Sequence, residues 1–215
     1  MTESVSQGPI STVTPTNGEE GTKFKRKQVE AGVRMILQGL GVDLEDENFK
    51  ETPARVARAY YELCSGLYSA EKKTEEIFGK SFFSDYRGMI VVGPVQATGV
   101  CPHHLLPVKS TVVMGYIPKE RKLGLSKLAR AIKLYLAKPV MQESASHALV
   151  EAFQSYVQPD GVALYIQAKH GCMTDRGVLQ HNCEASTMDV RGLFKDDSGV
   201  KTEFTQQVRL LLRRS

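Results

Sequence analysis

The chain changes its hydrophobic rhythm several times, and each change marks an element. Residues 1–22 set almost no large apolar side chain among Ser, Thr, Gly, Pro and Glu, a composition that predicts a disordered tail. From Lys25 the rhythm turns helical: Val29, Val33, Ile36, Leu37 and Leu40 share one face, and Gly41 ends the run. Thr52-Pro53 reads as an N-cap followed by proline in the first turn. The stripe Val56, Ala59, Tyr60 and Leu63 follows, with Cys64 as a core residue and Gly66 as the stop. Residues 67–87 read as a variable connection.

Beyond it the period shortens. Segments 89–100 and 110–117 are rich in β-branched residues and predict two strands, with 101–107 as the turn between them. Ser126 then stands as the cap of a helix carrying Leu128, Ala131, Ile132, Tyr135 and Leu136. After Pro139 a further helix carries Ala145, Leu149, Ala152, Phe153 and Tyr156, and Pro159-Asp160-Gly161 turns the chain. Strands follow over 162–169 and 186–194, and a last helix over 201–212. The order predicts an α+β fold: N-terminal helices over 23–70, then a domain over 71–215 built on an antiparallel sheet with helices on one face.

Composition narrows the function classes. A chain of 215 residues with 41% hydrophobic and 24% charged residues has enough material for one full core. No apolar run is long enough to span a bilayer, and the first residues lack a secretory signal, so a cytoplasmic protein without a membrane partner is expected. The formal charge is +4, and the clusters at 23–27 and 209–214 read as solvated helix faces. No basic stretch is interleaved with aromatics, so no nucleic-acid partner is expected.

Four cysteines are too few for a disulfide scaffold, which leaves buried thiols or metal ligands. The stretch Thr98-Gly-Val-Cys101-Pro102-His103-His104-Leu105-Leu106-Pro107 favours ligands. Cys101 and His104 stand three residues apart, within reach of one ion, and His170-Gly171-Cys172 follows another strand and supplies a third donor. Two thiolates and an imidazole suit Zn²⁺, and three protein ligands leave a fourth position for water, whose pKa such an ion lowers to ~7. Cys183 is a rival third ligand, in a segment that reads as the start of another element.

Longer words occur in fixed order around these residues: Cys-Pro-His-His-Leu-Leu-Pro, Gly-Tyr-Ile-Pro at 115–118, Gly-Leu-Ser-Lys-Leu-Ala-Arg at 124–130, Gln-Glu at 142–143, and His-Gly-Cys-Met-x-x-Arg-Gly at 170–177. In these the chain resembles the zinc-dependent GTP cyclohydrolase I family, from about Lys25 to the C-terminus. The resemblance implies a tunnelling fold, in which the sheets of several subunits join into a barrel. Two such rings stack into a homodecamer with sites between subunits. It implies a zinc hydrolase that opens the imidazole ring of GTP at C8, releases formate and forms 7,8-dihydroneopterin triphosphate. It assigns zinc to Cys101, His104 and Cys172, and proton transfer to His103 and His170. Ser126 would contact the sugar, Gln142 and Glu143 the guanine edge, and Arg55, Lys127, Arg130 and Arg176 the triphosphate.

The chain also departs from the family pattern. Pro102 stands where glutamate is usual, Ser144 where arginine is expected, and Val108 where an aromatic is common. The segment after Gly177 reads Val-Leu-Gln-His-Asn-Cys-Glu-Ala-Ser-Thr-Met in place of a Thr/Ser-rich run, with Cys183 at a usual serine position. Two alternatives follow: a relative that stops at the ring-opened formamidopyrimidine nucleotide, or a catalytically silent nucleotide-binding or ring-forming subunit.

Overall fold

The structure is a computed structural model that describes residues 23–213; the expected tail lies outside them. Its elements run α1 (Arg26–Gly39), α2 (Thr52–Leu63), α3 (Gly66–Phe78), β1 (Ser81–Phe83), β2 (Ile90–Val100), β3 (Pro107–Ile117) and β4 (Arg121–Leu123). They continue as α4 (Leu125–Leu136), α5 (Gln142–Val157), β5 (Gly161–His170), α6 (Gly171–Thr174), β6 (Ala185–Gly192), α7 (Leu193–Asp196) and α8 (Ser198–Leu212). β2, β3, β5 and β6 form one antiparallel sheet in that order, and β1 pairs with β4 in a small ribbon. β2 and β6 are therefore the edges of the main sheet.

Alternation along the strands builds two apolar layers. Val112, Met114, Tyr116, Leu164 and Ile166 point to one face and pack with Leu128 and Ile132 of α4 and Leu149 and Phe153 of α5. Burying each of these side chains contributes roughly 1.5–3 kcal/mol relative to exposure, so this layer dominates the stability of the fold. The Tyr116 hydroxyl, buried with the ring, accepts from the backbone N–H of Leu123 at 3.0 Å and ties the β1–β4 ribbon to the core.

The opposite face is not bare. Val113 and Ala163 point there and pack with Phe194 of α7 and Phe204 and Val208 of α8. The expectation of helices on one face is corrected on this point. The physical reason is that the odd-numbered strand positions at this end are also apolar, and Phe204 and Val208 recur at helical spacing. Toward the other end of the sheet the same face turns polar, with Thr111 donating to Gln96 at 3.1 Å.

The N-terminal part differs from expectation in three places. Thr52 is inside the helix rather than its cap, and Ala57 with Pro53 is buried while Ala59 is exposed. Most of the expected connection is helix α3, and Gly66 begins that helix instead of stopping the previous one. A Cβ on Gly66 would lie 2.3 Å from the Leu134 carbonyl oxygen, and its N–H donates to the Ala137 carbonyl at 2.8 Å. Glycine is required here for close approach to the end of α4. α1 buries no residue fully: Val29, Val33 and Leu37 are half-buried, whereas Ile36 and Leu40 stay exposed at 63% and 73%.

Two glycines make this packing testable. Gly66→Ala is expected to destabilise by about 2 kcal/mol and lower the thermal midpoint by roughly 4–8 °C, because both obstructing atoms are backbone. Gly32→Ala in α1, where nothing lies within 4 Å of the new methyl, is expected to stabilise by about 0.5 kcal/mol. Paired melts by circular dichroism check both signs.

Candidate metal centre

The antiparallel register delivers the ligands. Val100 pairs with Pro107 and Val108 with His170, so the β2–β3 turn and the end of β5 meet at one edge of the layer. The turn is closed by two backbone hydrogen bonds, Cys101 N–H to Leu106 O at 2.8 Å and Leu105 N–H to Cys101 O at 2.9 Å. Leu105 takes a left-handed φ of 54°, and its carbonyl accepts from the Tyr60 hydroxyl at 2.9 Å. Helix α2 thereby holds the turn from outside. On the other side, Gly171 packs against the Pro107 carbonyl, where a Cβ would sit 3.1 Å away.

In this frame the donor atoms of Cys101, His104 and Cys172 all lie within 4.8 Å of one another, and the three could hold a metal ion. Cys101 Sγ and His104 Nδ1 are 3.7 Å apart. A tetrahedral ion with usual Zn–S and Zn–N bond lengths would separate such donors by about 3.5 Å, so the pair needs little movement. Cys101 is buried, Cys172 half-buried and His104 exposed, which leaves an open side. Without an ion, partial burial and the neighbouring Cys101 sulfur hold the Cys172 thiol above its ordinary range, while Arg176 pulls it down. A cation reverses that balance, because thiolates are the ligating form. Cys183 is not part of this group.

His170 sits beside the ligands with its ring tied from behind. Its Nε2 lies 2.9 Å from Gln142 Oε1. The amide nitrogen of Gln142 faces acceptors: Ile166 O at 3.2 Å, Thr187 Oγ1 at 3.1 Å and Ala185 O at 3.4 Å. Those three acceptors fix the amide's orientation, so Nε2 of neutral His170 carries the proton and Nδ1 is the free acceptor. Burial lowers the His170 pKa, and the charge of Glu143 works against that shift. Gln142, expected at the guanine edge, thus spends its amide inside the chain, while Glu143 beside it is exposed. Behind His170 a recess of about 20 Å³ is lined by Val108, Ser110, Gln142 and Lys138, whose ammonium pKa is lowered by burial.

The remaining expected residues separate into groups. His103 is exposed next to His104, the two rings being nearly perpendicular at 6.3 Å. Lys127 and Arg130 line a cleft between α3, α4 and β2, and Lys127 Nζ donates to the Glu76 carbonyl at 3.4 Å. Ser126 is exposed in the first turn of α4 but does not cap it; Gly124 occupies the cap position. Arg55 on α2 pairs with Glu51 at 2.8 Å, with both side chains in solvent. Two contacts have no signal in the sequence pattern: the hold of Tyr60 on the turn and that of Gln142 on His170. Both span long sequence separations that periodicity does not register.

Metal content separates the ligand assignments. Cys172→Ser is expected to lose the bound metal and activity together, whereas Cys183→Ser keeps one ion per chain by elemental analysis. Loss of metal on Cys183→Ser alone would overturn the ligand set.

Likeness to known proteins runs through most of the chain. Residues 29–209 match the family model described as GTP cyclohydrolase I. The GTP cyclohydrolase 1 of Pelotomaculum thermopropionicum is 37% identical over 181 residues, covering 84% of this chain and 95% of the relative. That of Bacillus subtilis is 35% identical over 188 residues, covering 87% and 97%, and that of Alkalilimnicola ehrlichii 37% over 183 residues, covering 85% and 98%. A solved structure of apo archaeosine synthase QueF-Like overlays at a TM-score of 0.40 with 16% identity, over 51% of this chain and 96% of that one, too slight a likeness to weigh. Among the described residues no helix is long and apolar enough to cross a membrane. With a family match running through every strand of the sheet and all three residues that could hold a metal ion, the chain belongs to the GTP cyclohydrolase I family.

Proposed function

We propose that this chain hydrolyses the imidazole ring of GTP at C8, releases formate and closes the product to 7,8-dihydroneopterin triphosphate, with zinc as its resident metal. The observation that carries this reading is the convergence of Cys101, His104 and Cys172 beside a tethered His170 and an exposed Glu143. Two sulfurs and one imidazole nitrogen match zinc's preferences, and when bound the ion would activate water at neutral pH. The chain's own groups do the rest. His170, kept largely neutral by burial, accepts a proton at Nδ1 while Gln142 holds the ring. His103, exposed on the open side, delivers protons as the ring opens. Glu143 accepts from the ring N–H and exocyclic amine of guanine, a pattern adenine cannot satisfy. Lys127, Arg130, Arg55 and Arg176 bind the triphosphate, and Ser126 the sugar.

Within one chain Gln142 and the pair Lys127 and Arg130 line different pockets. Gln142 is anchored on β6 through Ala185 and Thr187, whereas the cleft with Lys127 and Arg130 is walled by Gln96, Ala97 and Thr98 of β2. β2 and β6 are the two open edges of the sheet. Pairing β6 of one copy with β2 of the next would bring Glu143 of the first toward Lys127 and Arg130 of the second. Exposed Met35 and Ile36 on α1, with Leu40 just beyond its end, supply apolar surface for further contact between copies. A homo-oligomeric ring, decameric by resemblance, is the form proposed.

Incubating the zinc-loaded protein with GTP is expected to yield formate and, after oxidation, a fluorescent neopterin triphosphate, and chelator treatment should abolish both. A ring-opened nucleotide without formate would show that the altered shell around Pro102 stops the reaction early. A zinc-loaded protein inert toward GTP would contradict the assignment.

Mixed oligomers test the shared site. Co-assembled Glu143→Gln and Lys127→Gln chains, each inactive alone, should recover about a quarter of the activity if each site draws on two copies. No recovery would place both groups in one chain's site.

A further inference from the structure

Leu105 holds a conformation that its own side chain does not favour. Its φ of 54° lies in the left-handed region, where an L side chain crowds the backbone and glycine is the usual occupant. Packing gives no reason for it, because the leucine is exposed at 51%. Hydrogen bonds do. The Leu105 N–H donates to the Cys101 carbonyl at 2.9 Å, and the Leu105 carbonyl accepts from the Tyr60 hydroxyl at 2.9 Å. A third bond, from the Cys101 N–H to the Leu106 carbonyl at 2.8 Å, closes the loop.

These bonds act on different torsions. The Leu105 N–H belongs to the peptide plane before its Cα, and the carbonyl to the plane after it. The bond to Cys101 therefore holds the near side of the residue, and the bond from Tyr60 holds the far side. That far plane carries the chain to Leu106, whose carbonyl must return to the Cys101 N–H. Among the described residues Tyr60 is the single hydrogen-bond partner of the Leu105 carbonyl, and it reaches there from α2, 45 residues earlier in the chain.

The turn so closed sets the bite of the metal centre. Cys101 opens it, His104 directly precedes Leu105, and Cys101 Sγ and His104 Nδ1 stand 3.7 Å apart. Release of Leu105 from its left-handed φ would rotate the backbone beside His104 and change that separation. Donors held near the ion's own geometry bind more tightly, because less ordering is left to the binding step.

We propose that Tyr60 is a positioning residue of the metal centre: its hydroxyl holds Leu105 left-handed and so keeps Cys101 and His104 at the separation zinc needs. The N-terminal helical part thereby belongs to the metal centre without supplying a ligand. The inference rests on the reading above that Cys101, His104 and Cys172 hold zinc.

Zinc affinity, measured on the full chain by competition with a chromophoric chelator, tests this without turnover, and the absorption bands of the cobalt-substituted protein report the ligand geometry. Tyr60→Phe keeps the ring and removes only the hydroxyl; it is expected to weaken zinc by about three- to tenfold and to alter the cobalt bands. Leu105→Gly added to Tyr60→Phe should restore affinity to within about twofold, because glycine takes a positive φ without strain. Leu105→Val in the otherwise unsubstituted chain should weaken zinc as Tyr60→Phe does, since a β-branched residue resists that φ. Circular dichroism confirms that each variant folds. Unchanged zinc affinity in Tyr60→Phe would overturn the proposal. So would a loss that Leu105→Gly does not repair, which would place the effect of the hydroxyl in the packing of α2. An unsubstituted chain that binds no zinc would overturn the metal reading itself, and the inference with it.

Discussion

The register of β3 between β2 and β5 is the constraint on which the site depends. Because Val108 faces His170 and Val100 faces Pro107, a turn closed at Cys101 and a strand ending at His170 are forced to the same place. A slip of one residue would turn Val112, Met114, Leu164 and Ile166 out of the principal core and part the ligands at once. Stability and chemistry are thus locked to one pairing. The turn needs only short-range help: two backbone hydrogen bonds, a left-handed Leu105, and the Tyr60 hydroxyl reaching across from α2.

Around this frame, polar groups are used where burial would otherwise cost most. Gln142 is almost fully buried, and both polar atoms of its side chain have partners; leaving one without a partner would cost about 1–3 kcal/mol. That completeness makes it a rigid backing for His170. Glu143, one residue on, is exposed, and its charge reaches His170. The first turn of α5 therefore supplies one buried residue that orients His170 and one exposed carboxylate. The cations of α4 sit over the opposite edge strand, which suits a site assembled from two copies.

Much of this frame is legible in the amino-acid sequence. The grouping of Cys101, His104 and Cys172 is, because Cys101 and His104 are close in the chain and Cys172 follows a strand with a clear β-branched pattern. The main sheet is as well, since four strands carry apolar residues in alternation. Helix α3 is not: among its described residues the buried side chains Thr74, Ile77 and Phe78 stand among lysines and glutamates, and Gly66 reads as a stop when it marks a close approach. Ser126 resembles a cap, yet the cap lies two residues earlier, at Gly124, and the helix begins at Leu125. The second helical layer is hidden because α8 meets the sheet through only a few residues, Phe204 and Val208 foremost. The tether of Gln142 to His170 depends on three elements meeting, and no local pattern announces such a contact.

The measurement that bears most directly on the account is X-ray absorption at the zinc edge on the purified, metal-loaded chain. Two sulfur neighbours at about 2.3 Å and nitrogen or oxygen neighbours at about 2.0 Å, four in total, are the predicted shell, with one light atom supplied by solvent. Three or four sulfurs would bring Cys183 into the site and close it. A shell without sulfur would remove the Cys101–His104–Cys172 centre altogether.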